Sequence, residues 1–416
     1  MNRLFSCVFG RAPCLALCLA LASGYLASAQ AQSPAPAAAA PAELSSGIDV
    51  RYMDTTVRPQ DDFFLYVNGA WLKSATIPAD KSRWGSFDEL RERALVDLRA
   101  IIDGIVAQPD KKPGTEAQKI GDLYQSFMDE ARRDSLGLKP LARDLERIDG
   151  IKDKKDLPAT IAWFNQMRIS APFSMAVVQD ARDATLYTVG VYQGGLGLPD
   201  RDYYLNEADA KLKAARAGYQ ALIGKTLAAA GDKDAAIAAR DIVALETALA
   251  KVQWTRVENR NPVKTYNKFE LAKLPELVPG YDWAAQLRAA ELDGKVTSLI
   301  VSQPSYLSGF GKVIDTTPLV TWKGYFKWHL IHSYAPYLSK PFVDDHFAFT
   351  GTMLRGVPAN EEAWKRGVRL SRPRSATRSA SPMSKNISRR RTRRAWRNWS
   401  PTWWRHTGRA STASTG

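Results

Sequence analysis

The stretch SFDELRERALVDLRAIIDGI, residues 86–105, indicates the class of fold. Apolar side chains recur in it at helical spacing, at Phe87, Leu90, Ala94, Leu95, Leu98, Ile101, Ile102 and Ile105. Because residues three and four apart share one face of an α-helix, this spacing predicts a long amphipathic helix that begins near Ser86.

Further stretches support a mainly helical chain. Helical patterns occupy residues 115–137, 157–169, 208–231, 233–254 and the aromatic-rich 319–338. The first of them starts with a capping Thr115 and ends near Gly137. Two runs rich in β-branched and aromatic residues, 172–180 and 185–193, are separated by polar ARDA. We therefore predict a mainly α fold with one small β hairpin or sheet and disordered ends.

The amino-terminal residues have the order of an export signal. Arg3 and Arg11 precede an apolar run, and small residues follow it. This order predicts a signal peptide over residues 1–29 and then a Pro/Ala-rich linker over 30–47. An uncleaved anchor or a lipid-modified cysteine is the competing interpretation. All three cysteines lie in the predicted signal, at Cys7, Cys14 and Cys18. We expect a periplasmic or secreted protein with no disulfide and no stable membrane span after cleavage.

The net charge of +15 is carried by the two ends of the chain. Residues 369–416 hold twelve arginines, one lysine and no acidic residue, whereas the body of the protein is close to neutral. An Arg/Trp-rich arm for nucleic acid is one interpretation of this tail. The other is a frameshift, because codons for such a tail, read one base out, can encode acidic amphipathic helices. We favour the frameshift and predict no nucleic-acid partner.

The residues alone offer no complete catalytic constellation. The zinc-protease motif HExxH is absent, because none of the four histidines is followed by glutamate. His329, His332 and His346 with Asp344 and Asp345 could form a metal cluster, but local hydrogen bonding of these histidines is the favoured interpretation. A phosphate-binding glycine loop, a GxSxG elbow and a cysteine nucleophile are not found either.

Four strings are more specific than composition. They are DDFFLYVNGAWLKSATIPADKSRWGSFDELRER (61–93), QGGLGLPDRDYYL (193–205), NPVKTYNKFEL (261–271) and WKGYFKWHLIHSYAPYLSKPFVDDHFAF (322–349). In this order they resemble the amino-terminal domain of the neprilysin and endothelin-converting-enzyme family of zinc metalloendopeptidases, over residues 48–368. The resemblance implies a helical protein of two lobes around a cavity that admits oligopeptides, with zinc bound in a part of the family that these residues do not match.

The same resemblance assigns two binding residues. Arg83 and Arg91 match family arginines that pair with the carboxyl-terminal carboxylate of an oligopeptide substrate, and a guanidinium suits a carboxylate. A solvated or salt-bridged surface arginine is the alternative for each. The glycine- and tyrosine-rich string at 193–205 is interpreted as a turn with buried tyrosines.

The absence of HExxH determines which function we expect for this chain. We expect the amino-terminal portion of a secreted neprilysin-like peptidase, truncated near residue 368, with no zinc bound and no hydrolysis by this chain. Helix faces intended for the missing lobe should be exposed and apolar. A non-catalytic periplasmic peptide-binding module is the second hypothesis.

Overall fold

The computed structural model describes residues 48–371, which fall into two compact units divided after Ser74. The predicted signal peptide (1–29), the linker (30–47) and residues 372–416 of the predicted tail lie outside the described residues. Residues 369–371, which the sequence places in the tail, continue a helix. Each unit is considered by itself below.

In the first unit, a helix is fastened to the segment before it. Helix α1 spans Phe63–Ser74. Asp54 accepts a hydrogen bond from Lys73 Nζ at 2.6 Å, and this bond, followed by those from Thr56, lowers the Asp54 pKa to about 2. A Cβ at Gly69 would lie 2.6 Å from the Asp54 Cβ, so the close approach requires glycine at that position.

The second unit is mainly helical. Its α-helices are α2 Ser86–Val106, α3 Glu116–Met128, α4 Glu130–Leu136, α5 Ala142–Asp149, α6 Leu157–Met167, α7 Asp202–Leu205, α8 Ala210–Ala229, α9 Ala235–Val252, α10 Leu274–Leu277, α11 Trp283–Ala289, α12 Pro304–Thr316, α13 Leu319–Tyr334, α14 Lys340–Phe347 and α15 Ala363–Ser371. A π-helix follows α14 at Ala348–Met353, and short 3₁₀ helices lie at Val50–Tyr52 in the first unit and, in the second, at Lys139–Leu141, Lys154–Asp156, Glu258–Arg260, Leu271–Lys273 and Ala335–Tyr337. The prediction of a mainly α fold is confirmed.

The helix predicted over 115–137 is two helices in the structure. Thr115 caps α3 as expected, because its side chain accepts from the Gln118 backbone N–H. The chain then leaves helical geometry at Asp129, whose carboxylate accepts from the Arg132 backbone N–H and so starts α4. Aspartate side chains compete with helix continuation in this way, and an apolar period cannot reveal it.

The predicted small β hairpin or sheet is a four-stranded mixed sheet. Its strands are β1 Phe173–Gln179, β2 Tyr187–Gln193, β3 Lys268–Glu270 and β4 Ser298–Val301, in the spatial order β1-β2-β4-β3. The predicted hairpin is β1 and β2, paired antiparallel with Phe173 opposite Gln193. Strand β4 runs parallel to β2, with Gly190 opposite Ile300, and β3 pairs antiparallel with β4. With three and four residues, β3 and β4 are too short to show a period in sequence.

Helix α13 lies in the main core. Trp322, Tyr325, Phe326 and Trp328 are all fully buried. Burial of residues on nearly every side identifies an interior helix, whereas surface helices bury one stripe. Around it pack α6, α8, α9 and α12, with edge-to-face ring pairs such as Phe164 on Phe326.

A second, smaller core joins α2, α3 and α15. It is made by Leu95, Leu98, Ile102, Ile120, Tyr124 and Val368. Val368 is fully buried, and a Cβ at the neighbouring Gly367 would lie 2.9 Å from the Phe127 ring. The end of the described chain is therefore part of the packed domain, and it brings α15 beside the start of α2.

No helix among residues 48–371 is both long and apolar enough to cross a lipid bilayer.

Candidate functional site

The two predicted binding arginines lie close together at the start of α2. Arg83 precedes the helix and Arg91 lies in its second turn, and their side chains are 78% and 54% exposed. Both face the carboxylate of Asp88: Arg91 Nη1 is 3.0 Å from Oδ1, and Arg83 Nε is 3.9 Å from Oδ2. The structure thus brings the two residues onto one side of the helix entry, with one acidic neighbour between them.

A cleft of about 330 Å³ opens at this point. One wall is the loop before α2 and its first turns, including Arg83, Asp88 and Arg91. The other lining segment runs from the end of α14 toward α15 and contributes Phe347, Arg355, Val357 and Asn360. The Ala359 backbone N–H donates to the Ala79 carbonyl at 3.1 Å, and this bond joins the two lining segments.

Beside the arginines lies a dense ionic network centred on Lys81. Its ammonium is 2.6 Å from Glu361, 2.8 Å from Glu92 and 3.1 Å from Asp80, and the four side chains are 14–21% exposed. Burial lowers the Lys81 pKa, but the hydrogen bonds to these carboxylates outweigh it, and the net pKa lies above the usual lysine range. Lys81 therefore stays charged throughout the working pH range.

Helix α15 completes the network. Lys365 Nζ lies 2.9 Å from Glu92 Oε2 and 3.5 Å from Asp80, and Arg369 pairs with Glu361. For Glu92, burial raises the pKa and hydrogen bonds from both lysines more than reverse the effect, so its pKa is lowered. The three cations are matched by the three carboxylates Asp80, Glu92 and Glu361, and the exposed Glu362 lies at the edge of the network, 4.0 Å from Lys365.

Arg355 also lines the cleft, from the segment that follows the π-helix. Its Nε donates to the Thr350 carbonyl at 2.8 Å, which fixes the guanidinium plane and leaves the terminal nitrogens for other acceptors. Sequence reasoning missed both Arg355 and Lys81. They reach the site only through folding, since Lys81 and its partner Glu361 are 280 residues apart.

The metal cluster considered from the sequence, His329, His332 and His346 with Asp344 and Asp345, does not form among the described residues. His329 Nε2 lies 2.9 Å from Glu246, a fully buried carboxylate that also accepts from Tyr219 OH at 2.9 Å. Asp344 pairs with Lys340 and Asp345 with Lys225, each at 2.6 Å, so both carboxylates are turned to lysines.

His332 and His346 stack on each other, with ring centroids 4.7 Å apart. Burial and neighbouring charge lower the pKa of His332 to about 3 and that of His346 to about 4. Among residues 48–371 no three His, Cys, Asp or Glu side chains converge as a metal site would require. The prediction of locally bonded histidines holds for His329.

The glycine-rich string 193–205 is a packed turn. Gly195 has φ +89°, and its carbonyl accepts from Tyr325 OH at 3.0 Å. Tyr204 is buried, accepts from the Leu198 backbone N–H at 2.9 Å and donates to Glu246. The string is architectural, as interpreted from the sequence.

Comparison with known proteins identifies the class. The model described as "Peptidase family M13" matches residues 59–373, which is well over half of the chain, so the chain belongs to this family. The neprilysin and endothelin-converting-enzyme resemblance is thereby confirmed, for an amino-terminal domain.

Individual relatives follow. The chain is 28% identical over 324 residues to endothelin-converting enzyme 1 of Bos taurus and 27% identical over 341 residues to neprilysin-3 of Drosophila melanogaster. These matches cover 75% and 76% of this chain and 42% of each relative. The crystal structure of the zinc metalloprotease Zmp1 of Mycobacterium tuberculosis, in complex with an inhibitor, superposes with a TM-score of 0.76 at 34% identity, covering 85% of this chain and 53% of that one. The chain thus spans about half the length of these relatives.

Proposed function

We propose that this chain is the amino-terminal portion of an exported, neprilysin-like zinc metalloendopeptidase, and that it binds oligopeptides by their carboxyl-terminal carboxylate. One observation carries the proposal: Arg83 and Arg91 line the same cleft of about 330 Å³ and share a single acidic neighbour, Asp88. Two guanidiniums beside one carboxylate leave one positive charge for a ligand carboxylate.

The cleft has a size that fits this role. Its volume is at the lower end of the range for small-ligand pockets, which suits the last one or two residues of a peptide. Phe347 and Val357 supply apolar wall for a side chain, and Asn360 adds a polar group that can donate to or accept from a peptide backbone.

Binding without hydrolysis is the proposed behaviour of these 416 residues. Zinc, when bound in a peptidase of this kind, polarises the scissile carbonyl and activates a water molecule. No HExxH sequence occurs in the chain, and the described histidines do not converge on a metal-binding geometry. A carboxylate-binding cleft without hydrolytic residues also favours the second hypothesis, a non-catalytic peptide-binding module.

Calorimetric titration with a short peptide and its carboxyl-terminal amide tests the binding proposal. We expect the free acid to bind and the amide to bind more weakly, and we expect Arg83→Ala and Arg91→Ala each to reduce this preference about two- to fivefold, as for exposed ion pairs. Arg93→Ala is the matched control, since Arg93 lies on the same helix outside the cleft. Equal affinity for acid and amide would refute the proposal.

Hydrolysis is tested separately on the purified 416-residue chain. We expect no zinc-dependent cleavage of a peptide that the chain binds, measured by mass spectrometry with and without added zinc and with a chelator control. Peptide cleavage that requires zinc and is abolished by the chelator would overturn the non-catalytic assignment.

Export and the origin of the tail are proposals that rest on sequence. We expect amino-terminal sequencing of protein recovered from the periplasm or medium to begin at Gln30, because Ala27-Ser28-Ala29 precede it. We expect resequencing of codons 366–372 to find one inserted or missing base. An intact reading frame there would exclude the frameshift.

A further inference from the structure

The cleft holds more arginine than one carboxylate requires. Apart from the balanced network around Lys81, its charged lining residues are Arg83, Arg91, Arg355 and Asp88. Among these four side chains, three guanidiniums exceed the one carboxylate by two charges, and all the lining residues together carry five cations and four carboxylates, a net charge of +1, around a space of about 330 Å³. Such a concave site of one sign focuses the field on a ligand of the opposite sign and favours a dianion over a monoanion.

Arg355 is the unassigned member of this set. No ion pair joins its guanidinium to a carboxylate of residues 48–371, and its one protein hydrogen bond goes from Nε to the Thr350 carbonyl. That bond anchors the side chain at its inner nitrogen and leaves Nη1 and Nη2, the pair that binds a carboxylate side-on, without an acceptor among the described residues.

The position of Arg355 separates it from the other two arginines. Arg83 and Arg91 belong to the loop before α2 and to its second turn, whereas Arg355 follows the π-helix and belongs, with Val357, to the other segment that lines the cleft. A ligand that pairs with arginines of both segments carries two acidic groups. The α-carboxylate and the side-chain carboxylate of one acidic amino acid supply two such groups.

We propose that Arg355 binds the side-chain carboxylate of a carboxyl-terminal aspartate or glutamate, so that the cleft selects peptides whose last residue is acidic. The inference rests on the proposed function, in which Arg83 and Arg91 hold the α-carboxylate of the same residue. Burial is the larger cause of the lowered pKa of His346, and the positive charge on Arg355 is the second cause. The neighbouring imidazole is therefore neutral at physiological pH and does not compete for the acidic side chain.

Three peptides separate the two carboxylate contacts. Ala-Phe-Glu carries both acidic groups, Ala-Phe-Gln lacks the side-chain acid at nearly the same size, and the α-amide of Ala-Phe-Glu lacks the terminal acid. In calorimetric titrations of the whole 416-residue chain we expect Ala-Phe-Glu to bind about fivefold more tightly than Ala-Phe-Gln, the upper end for an exposed ion pair.

Substitution of Arg355 gives the decisive comparison. Arg355→Gln is expected to make the affinities for Ala-Phe-Glu and Ala-Phe-Gln equal while the affinity for Ala-Phe-Gln stays unchanged. Arg93→Gln, outside the cleft, should leave the fivefold preference in place. A circular dichroism spectrum and melting temperature equal to those of the wild type show that each variant is folded.

The outcomes distinguish the inference from the proposal on which it rests. If the wild type prefers acid over amide but binds Ala-Phe-Glu and Ala-Phe-Gln equally, the selection by Arg355 is wrong and the carboxylate site stands. If Arg355→Gln weakens the binding of Ala-Phe-Glu and of Ala-Phe-Gln by the same factor, Arg355 does not determine the specificity. If the wild type fails to distinguish acid from amide, the proposed function is refuted and the inference is lost with it.

Discussion

At the scale of single residues, Asp88 is the internal competitor of the proposed ligand. It is the one carboxylate near both Arg83 and Arg91 among residues 48–371, at 3.9 and 3.0 Å, and its side chain is 15% exposed. A carboxylate in this position resembles the group that the arginines are proposed to bind. A peptide carboxylate must therefore compete with Asp88 for the two arginines, which reduces the affinity for the peptide.

Asp88→Asn should strengthen binding of a peptide with a free carboxyl terminus. The amide has almost the same shape but no charge, so both guanidiniums become available, and we expect a gain of about two- to fivefold. Titration of the variant with the free-acid peptide and with its amide measures this gain in affinity, and the amide should show no gain. Weaker binding of the acid would mean that Asp88 chiefly orients the arginines.

The stacked His332 makes stability depend on pH. Its folded pKa of about 3 lies below the ordinary histidine value, because burial and the nearby His346 and His329 disfavour its charge. The unfolded chain therefore binds the extra proton first, and stability falls as pH decreases from about 6.5 toward the folded pKa, by at most about 1.4 kcal/mol per pH unit.

Replacing this imidazole should flatten the profile. His332→Phe keeps a ring against Trp328, whose centroid lies 4.6 Å from that of His332, but removes the titration. Urea unfolding between pH 7 and 4.5 should then show a shallower loss of stability than in the wild type, whereas Tyr334→Phe on the same helix should leave the slope unchanged. An unaltered slope in His332→Phe would contradict the assignment.

At the scale of elements, α15 is held to the start of α2 by charge as well as by Val368. Lys81 contacts carboxylates of its own loop, of α2 and of the segment before α15, and Lys365 returns from α15 to Glu92. Removal of one cation leaves poorly solvated carboxylates facing one another, which costs more than the loss of an exposed pair.

Lys81→Met should therefore loosen α15. We expect a loss of about 1–3 kcal/mol in the free energy of unfolding, less than for a fully buried pair because the network borders solvent. Hydrogen exchange should quicken in α15 before it does in α13. Lys340→Met, whose partner Asp344 is likewise exposed, should change stability by less than about 0.5 kcal/mol. Equal effects of the two substitutions would show that the network has no special role.

The elements also show where sequence reasoning succeeds. The apolar spacing in α2 and the aromatic content of α13 predicted both helices, because long periodic segments carry their own signal. The break at Asp129 was missed because one side chain decides it, and β3 and β4 were missed because their pairing is set by partners distant in sequence.

The site was predicted only in part. Arg83 and Arg91 came from family resemblance, since spacing alone does not separate them from surface arginines. Arg355 and the Lys81 network had no local signal, because the contact between residues 81 and 361 exists only in the folded chain.

At the scale of the whole molecule, one exposed face of α2 carries apolar side chains. Phe87 and Leu90 are 80% and 62% exposed, and they lie on the helix face that carries Arg91. Apolar side chains three residues apart on an open face favour association in water.

A double substitution, Phe87→Ser with Leu90→Ser, should reduce self-association. Neither side chain is buried, so we expect the free energy of unfolding to change by less than about 0.5 kcal/mol per site while light scattering at high concentration decreases. Val257→Ser is the control, an equally exposed apolar residue in a loop, 76% accessible. If light scattering decreases equally in both variants, the exposed face of α2 is not the surface that drives self-association.

The parallel pairing of β2 with β4 constrains the order of events during synthesis. Gly190 of β2 pairs with Ile300 of β4, so the ribosome must add 110 residues after Gly190 (300 − 190 = 110) before its partner exists. Until then the hairpin presents an open backbone edge that another nascent chain can pair with. Closing so long a segment is also slow. The parallel pair of this sheet can therefore form only after residue 301 has been synthesised.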